Sequence, residues 1–336
     1  MKLKAVSFRP DNVMYDCLAV AAQKSSAVRS VVKRHWAQAK NQSLIDRTFE
    51  PMDPAEFALP SGNLATQPQQ VRKLLKEYGI CILTDFVDHQ VALAAGSEVT
   101  GFLTNQGFLK EGKVPLGKES DRLEKPDSGD EDGYGWQYDY ARYDNTGYRE
   151  VQAMDKPFIN IRSQKVGIED AGKIDIFRGQ KIATDFGLDN LSTCYEAVRQ
   201  KSVVTFIEKL SGYREVQANL YYDGGVTTPR GPHIDNNLEQ YKIFLYLTDV
   251  LDVENGPYCY VPGSHKRRDW MSKERLLNST SDDYVLPTEV SSFPFDRYTK
   301  MFAPAGTAII SQQSGIHGAW PQAENGRRVL ILGNYN

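Results

Sequence analysis

The chain has five histidines in 336 residues, and two of them stand where metal chemistry is possible. His233 lies in the run PRGPHIDNN, with Asp235 two residues on. In an extended segment residues i and i+2 project to the same side, so this imidazole and carboxylate can reach one ion together. Two imidazoles and one carboxylate on one side of a metal form the facial set of non-haem Fe(II) oxygenases, in which the opposite positions stay open for a chelating cosubstrate and O2. The third donor must come from elsewhere, and His317, in SGIHGAWP, is the best candidate. A bare His-x-Asp occurs by chance in many proteins, and Zn2+ accepts the same donors with an open water position. More discriminating is Arg328, eleven residues after His317 in the strand-like run RRVLILGNY. A strand arginine buried near a metal is costly unless a carboxylate pairs with it, and its planar fork suits the distal end of a dicarboxylate. Arg327 takes that part if the register slips by one, since strand neighbours face opposite sides.

With these residues in place, the run from Pro229 to Asn336 resembles the phytanoyl-CoA dioxygenase family of Fe(II)/2-oxoglutarate-dependent oxygenases. The matching pieces are HID (His233, Asp235), FLYLTDVLDVENGPYCYVPGSHK and HGAWPQAENGRR, in the family's order. This strong likeness covers about a third of the chain. A looser one beginning near GICILTDF extends it over 76–336, leaving 1–75 as a helical N-terminal extension packed on the core. The resemblance implies an α+β fold with a double-stranded β-helix (jelly-roll, cupin-like) core and flanking helices. It implies His233, Asp235 and His317 as catalytic iron ligands, and Arg328 on the C5 carboxylate of 2-oxoglutarate. It also places Asn219 against the cosubstrate, with Tyr221 and Gln217 on the same strand face. Where some relatives carry Ser two residues after the distal histidine this chain has Ala319, so either another hydrogen-bond donor stands there or the site differs slightly. Asp235 itself argues against the halogenases, which replace that carboxylate by a small residue. The implied activity uses Fe(II), 2-oxoglutarate and O2 to hydroxylate an aliphatic C–H bond of a small-molecule substrate, releasing succinate and CO2. A zinc-dependent hydrolase and a non-catalytic cupin-like binding protein are the alternatives. His265, in VPGSHKRRDW, belongs to a Pro-Gly turn and reads as structural, with Lys266, Arg267 and Arg268 a solvated basic face. His35 and His89 read as surface residues.

The elements that must position these residues follow from periodicity. Apolar residues at three and four spacing predict a helix over 22–46. Three prolines make 50–66 a loop. A helix over 67–78 stops at Gly79, a β-rich run ICILTDF follows, and a further helix covers about 88–105. The polar stretch 117–135 reads as an exposed loop. Six aromatics in 134–148 (Tyr134, Trp136, Tyr138, Tyr140, Tyr143 and Tyr148) pin an irregular segment to the core or form a wall facing substrate. Ser192 can cap a helix running to Leu210, with Gly212 as its stop. Short β-prone runs at 215–222, 241–247, 258–261, 307–311 and 329–332, separated by Gly, Pro, Asp and Asn, predict an antiparallel sandwich or barrel.

Composition excludes several classes. Lys+Arg number 40 and Asp+Glu 43, for a net charge of -3, which is poor for displacing counterions from nucleic acid. No apolar run approaches a membrane span, and MKLKAVSFRPDN has no apolar signal core. The four cysteines (Cys17, Cys81, Cys194 and Cys259) form no CxxC pair, so reduced thiols in a cytoplasmic protein are the expectation.

Overall fold

The computed structural model describes residues 21, 28, 30, 49–116, 135–138, 156–162, 170–213, 216–235, 240–266, 289–290 and 293–335. Strands come first in chain order as β1 (Ala58–Pro60), β2 (Ile80–Thr84), β3 (Gly135–Tyr138), β4 (Phe158–Ile161), β5 (Lys173–Phe177) and β6 (Val216–Gly224). They continue as β7 (Tyr241–Tyr246), β8 (Tyr258–Tyr260), β9 (Thr299–Met301), β10 (Ala308–Gln312), β11 (His317–Ala319) and β12 (Arg327–Tyr335). The helices are α1 (Asn63–Thr66), α2 (Pro68–Tyr78), α3 (His89–Asn105), α4 (Gly179–Asp185), α5 (Asp189–Arg199) and α6 (Lys201–Ser211).

The strands build two sheets, one ordered β1-β2-β10-β7-β12-β6-β5-β4-β3 and one ordered β11-β8-β9. Every pairing is antiparallel except β1 with β2 and β3 with β4. From β6 onward the chain alternates between the sheets. β6, β7, β10 and β12 lie in the large one and β8, β9 and β11 in the small one. The central strands of the large sheet are apolar on both faces, which explains their continuous hydrophobic runs. Tyr221, Phe244, Tyr246, Leu330 and Leu332 point inward to a core shared with Tyr258, Tyr260 and Met301 of the small sheet. Leu220, Tyr222, Ile243, Leu245, Val329 and Ile331 point outward to a second core with Val71, Leu75, Leu103, Leu191 and Ile207 of the helices.

The expected strands and the helices of 68–78 and 89–105 form, with Gly79 at φ 80° and Gly212 at φ 84° as left-handed stops. Three expectations need correction. The stretch 50–66 is not a plain loop: Pro54–Phe57 form a 3-10 turn, followed by β1 and α1. Ser192 caps nothing, because the helix begins at Asp189 and Ser192 lies within it. The helical region also breaks in two at Gln200, whose φ −57° and ψ 143° are extended. Glu98 of α3 explains the early start, since its carboxylate accepts the N–H groups of Asn190 (3.2 Å) and Leu191 (2.9 Å). The helix over 22–46 falls almost wholly outside the described residues, as do the loop 117–134 and the side chains of the aromatic segment 134–148. Phe57, Val71 and Leu75 are fully buried, so segments before residue 76 belong to this packed body.

Candidate active site

The backbone itself brings the two distant histidines together. The N–H of His233 donates to the carbonyl of His317 at 3.0 Å, and the N–H of His317 returns a bond to His233 at 2.9 Å. Residues that exchange both bonds in an antiparallel pair present their side chains on one face. The imidazole centroids accordingly lie 4.4 Å apart. Asp235 is anchored by its own N–H donating to Gln313 at 3.1 Å. Its Oδ1 stands 3.7 Å from Nε2 of His233 and its Oδ2 3.7 Å from Nε2 of His317. Among the described residues these three form the group whose ligand atoms lie within 4.8 Å of one another.

The donor chemistry fits a divalent transition metal. Nδ1 of His233 is 2.7 Å from the carbonyl of Gly231, and Nδ1 of His317 is 2.9 Å from the carbonyl of Gly315. A carbonyl can only accept, so each Nδ1 carries the proton and each Nε2 keeps its lone pair toward Asp235. Such outer hydrogen bonds fix the tautomer of metal-binding histidines. Burial holds the pKa of His233 well below the ordinary imidazole value, which keeps the ring neutral. Burial would raise the pKa of Asp235, but the Lys242 ammonium beside it outweighs this and holds the carboxyl well below its usual range. Bonds of about 2.1 Å to one ion need donors about 3.0–3.4 Å apart, so these three, within 4.8 Å of one another, would have to draw together to hold one.

Lys242 and Arg230 surround Asp235 and were not evident in the sequence. Lys242 hydrogen-bonds Oδ2 of Asp235. Arg230 approaches Oδ1 at 3.9 Å while its Nη2 pairs with Glu289 at 2.7 Å. Lys242 did leave a trace, as a charge in YKIFLY two residues before the inward-facing Phe244. Tyr298 donates to the carbonyl of His317 at 2.9 Å and so ties down the third ligand. Gly315 sits where a Cβ would collide with the Tyr260 hydroxyl, so only glycine admits this approach.

One cavity joins the three donors to Arg328, Tyr221, Lys173, Phe244, Tyr258 and Ala319. Arg328 is 7% exposed and its Nε and Nη2 donate to Oδ2 of Asp223 at 3.0 and 2.6 Å, while Nη1 bonds the carbonyl of Gly256. Burial alone would favour the uncharged form, yet Asp223 more than offsets it and raises the pKa. One N–H on each Nη is left over from these bonds, enough for a second carboxylate. Arg327 is exposed and lines a different hollow with Glu324 and Asn255. Asn219 and Gln217 line a neighbouring hollow instead of this cavity. His265 lies in a 3-10 turn with Nε2 3.2 Å from the carbonyl of Lys76, apart from the donor cluster. His89 is half-exposed and bonds Asp249 at 2.9 Å; His35 lies outside the described residues.

No protein-family model matches the chain, and no curated protein does. Solved structures similar to it include the non-haem α-ketoglutarate-dependent epimerase SnoN of nogalamycin biosynthesis, at 15% identity over 80% of this chain and 81% of that one, TM-score 0.43. The carbocyclase SnoK of the same biosynthesis matches at 13% identity over 85% of this chain and 86% of that one, TM-score 0.43. HygX from Streptomyces hygroscopicus, solved with nickel and 2-oxoglutarate, matches at 11% identity over 79% and 85%, TM-score 0.44. Likeness at this level says nothing of this chain's chemistry, which its own side chains must carry. Among the described residues no helix is long and apolar enough to cross a membrane.

Proposed function

We propose that the protein is an Fe(II)- and 2-oxoglutarate-dependent oxygenase that hydroxylates an aliphatic C–H bond of a small molecule, on a jelly-roll core of the phytanoyl-CoA dioxygenase type. The observation that carries this reading is the convergence of two Nε2 lone pairs and one carboxylate in the same cavity as a buried, carboxylate-braced arginine. His233, Asp235 and His317 would hold the metal. Fe(II) bound there, with 2-oxoglutarate and O2, supplies oxidation of an unactivated C–H bond with release of succinate and CO2.

The chain's own residues do the rest. Asp223 and Gly256 fix the guanidinium of Arg328, so it can take the C5 carboxylate in one orientation without a large loss of side-chain entropy. Tyr221 and Phe244 give the cavity apolar walls that exclude water, and Tyr258 stays a neutral phenol bonded to Ser311 at 2.9 Å. Lys242 neutralises Asp235 and orients it.

The test is anaerobic addition of Fe(II) and 2-oxoglutarate. A weak visible charge-transfer band, lost in His317→Ala, supports the reading, and oxygen should then release succinate. A zinc hydrolase or a binding module gives neither signal, and absence of the band in folded protein overturns the proposal.

A further inference from the structure

A second hollow, of about 560 Å³, opens where β5 parts from β6. The β5–β6 ladder ends at Ile176 with Leu220, whereas β6 continues against β12 as far as Val216 with Tyr335. Just past β5, Arg178 takes a left-handed φ of 55° and turns the chain into α4. One edge of 216–219 therefore borders a hollow and not a strand. Its apolar lining includes Phe177 and Val216. Among its described lining residues three are cations (Arg178, Lys181 and Arg199) and one, Asp185, is a carboxylate. The heads of all three cations are held in place: Arg178 donates to the carbonyl of Lys156 at 3.3 Å, Lys181 pairs with Asp185 at 2.6 Å and Arg199 bonds Gln180.

Asn219 adds a polar group to the lining of the hollow. It is 7% exposed, lines this hollow, and its amide has no hydrogen-bond partner among the described residues. The amide opens onto the hollow, where it can donate to and accept from a ligand. Asn219 also neighbours residues of the cavity that holds the three donors. Its cross-strand partner Leu332, and Tyr221 on its own strand face, both line that cavity.

We propose that this hollow binds the anionic group of the primary substrate, a carboxylate or phosphate on an apolar body. Arg178, Lys181 and Arg199 face the charge, Asn219 donates its amide, and the body passes Tyr221 toward the metal donors. The orientation rests on the oxygenase reading; the binding itself does not.

Calorimetric titration of the metal-free protein with 1-naphthyl phosphate, 2-naphthoate and 2-naphthol tests it. Expected is binding of at least one anion, with 2-naphthol about tenfold weaker or worse. In a Lys181→Gln/Arg199→Gln variant of unchanged circular dichroism, the anion should weaken by about tenfold, and Asn219→Leu should weaken it several-fold. The relative affinities of the two anions tell phosphate from carboxylate. Failure of both anions to bind, equal binding of 2-naphthol, or unchanged affinity in the variants overturns the proposal. The Fe(II)/2-oxoglutarate band is read separately. Anion binding without the band leaves this site standing and removes the oxygenase reading, and the band without anion binding does the reverse.

Discussion

At the scale of single residues, the proposed function gives Arg328 a binding role that can be separated from its ion pair with Asp223. They form a buried ion pair, 7% and 2% exposed, in which each charge depends on the other. Arg328→Ala strands the carboxylate and should destabilise the fold by about 3–5 kcal/mol in denaturant titrations. It should also abolish 2-oxoglutarate binding. An Asp223→Leu/Arg328→Met double variant removes both charges and should regain most of the stability, while the cosubstrate affinity stays lost. Affinity that returned with stability would end the assignment of Arg328 as the carboxylate clamp. The thiols make a second case. Burial pushes Cys81, Cys194 and Cys259 up to about 12. Native protein should therefore leave these three unalkylated at pH 8, as read by peptide mass. Their folded pKa values lie above the unfolded ones, so between about pH 9 and 12 the native state holds protons the unfolded state has lost. Stability should then fall by about 1.4 kcal/mol per thiol for each pH unit in that window, measured by denaturation at rising pH. That His233, Asp235 and His317 come together, with Arg328 lining the same cavity, was legible because strand pitch and residue type point that way. Lys242 and Arg230 were not, since they meet Asp235 only after the chain folds back. The carbonyls of Gly231 and Gly315 that set the tautomers carry no side-chain signature at all.

At the scale of elements, the strands were readable for a physical reason. They are buried on both faces, so their apolar runs are dense, and Gly, Pro, Asp and Asn must interrupt them at the turns. Helix α5 was misread because its cap is tertiary. Ser192 looked like a local N-cap, but Glu98, about ninety positions earlier, takes the first N–H groups and the Asn190 side chain (2.6 Å). Glu98→Ala should cost about 1–2 kcal/mol, the range of a lost helix cap, and Ser192→Ala almost nothing. Urea midpoints of the two variants decide between the caps, and a large effect at Ser192 would restore the local one. The break at Gln200 was equally hidden. No Pro or Gly marks it, and α5 and α6 bury different residues, Leu191 and Tyr195 against Val203 and Phe206.

At the scale of the whole molecule, the donors arrive on two chain segments, 233–235 and 317, that the backbone already joins. The backbone pairing therefore assembles the site by itself, and Lys242 compensates the Asp235 charge. The fold extends N-terminal to residue 76 as well, because β1 pairs with β2 and Phe57 sits in the inner core. A 76–336 fragment should accordingly be soluble only poorly or melt far below the full chain. The metal dependence follows from the same preassembly. Zinc fingers unfold when stripped of metal; this protein should instead remain folded in EDTA, with an unchanged far-ultraviolet spectrum. Ni(II), a redox-stable stand-in for Fe(II), should raise stability by about 2.7 kcal/mol at a hundredfold excess over its Kd. His317→Ala should keep the baseline stability within a few kcal/mol and lose the increment entirely. Lys242→Met should enlarge the increment, because the ion then no longer shares the Asp235 carboxylate with an ammonium. Thermal melts of the three proteins with EDTA and with Ni(II) read all of this at once. An increment that survived His317→Ala would place the ion elsewhere, and unfolding in EDTA would mean that the metal, and not the strand pairing of His233 with His317, holds the centre together.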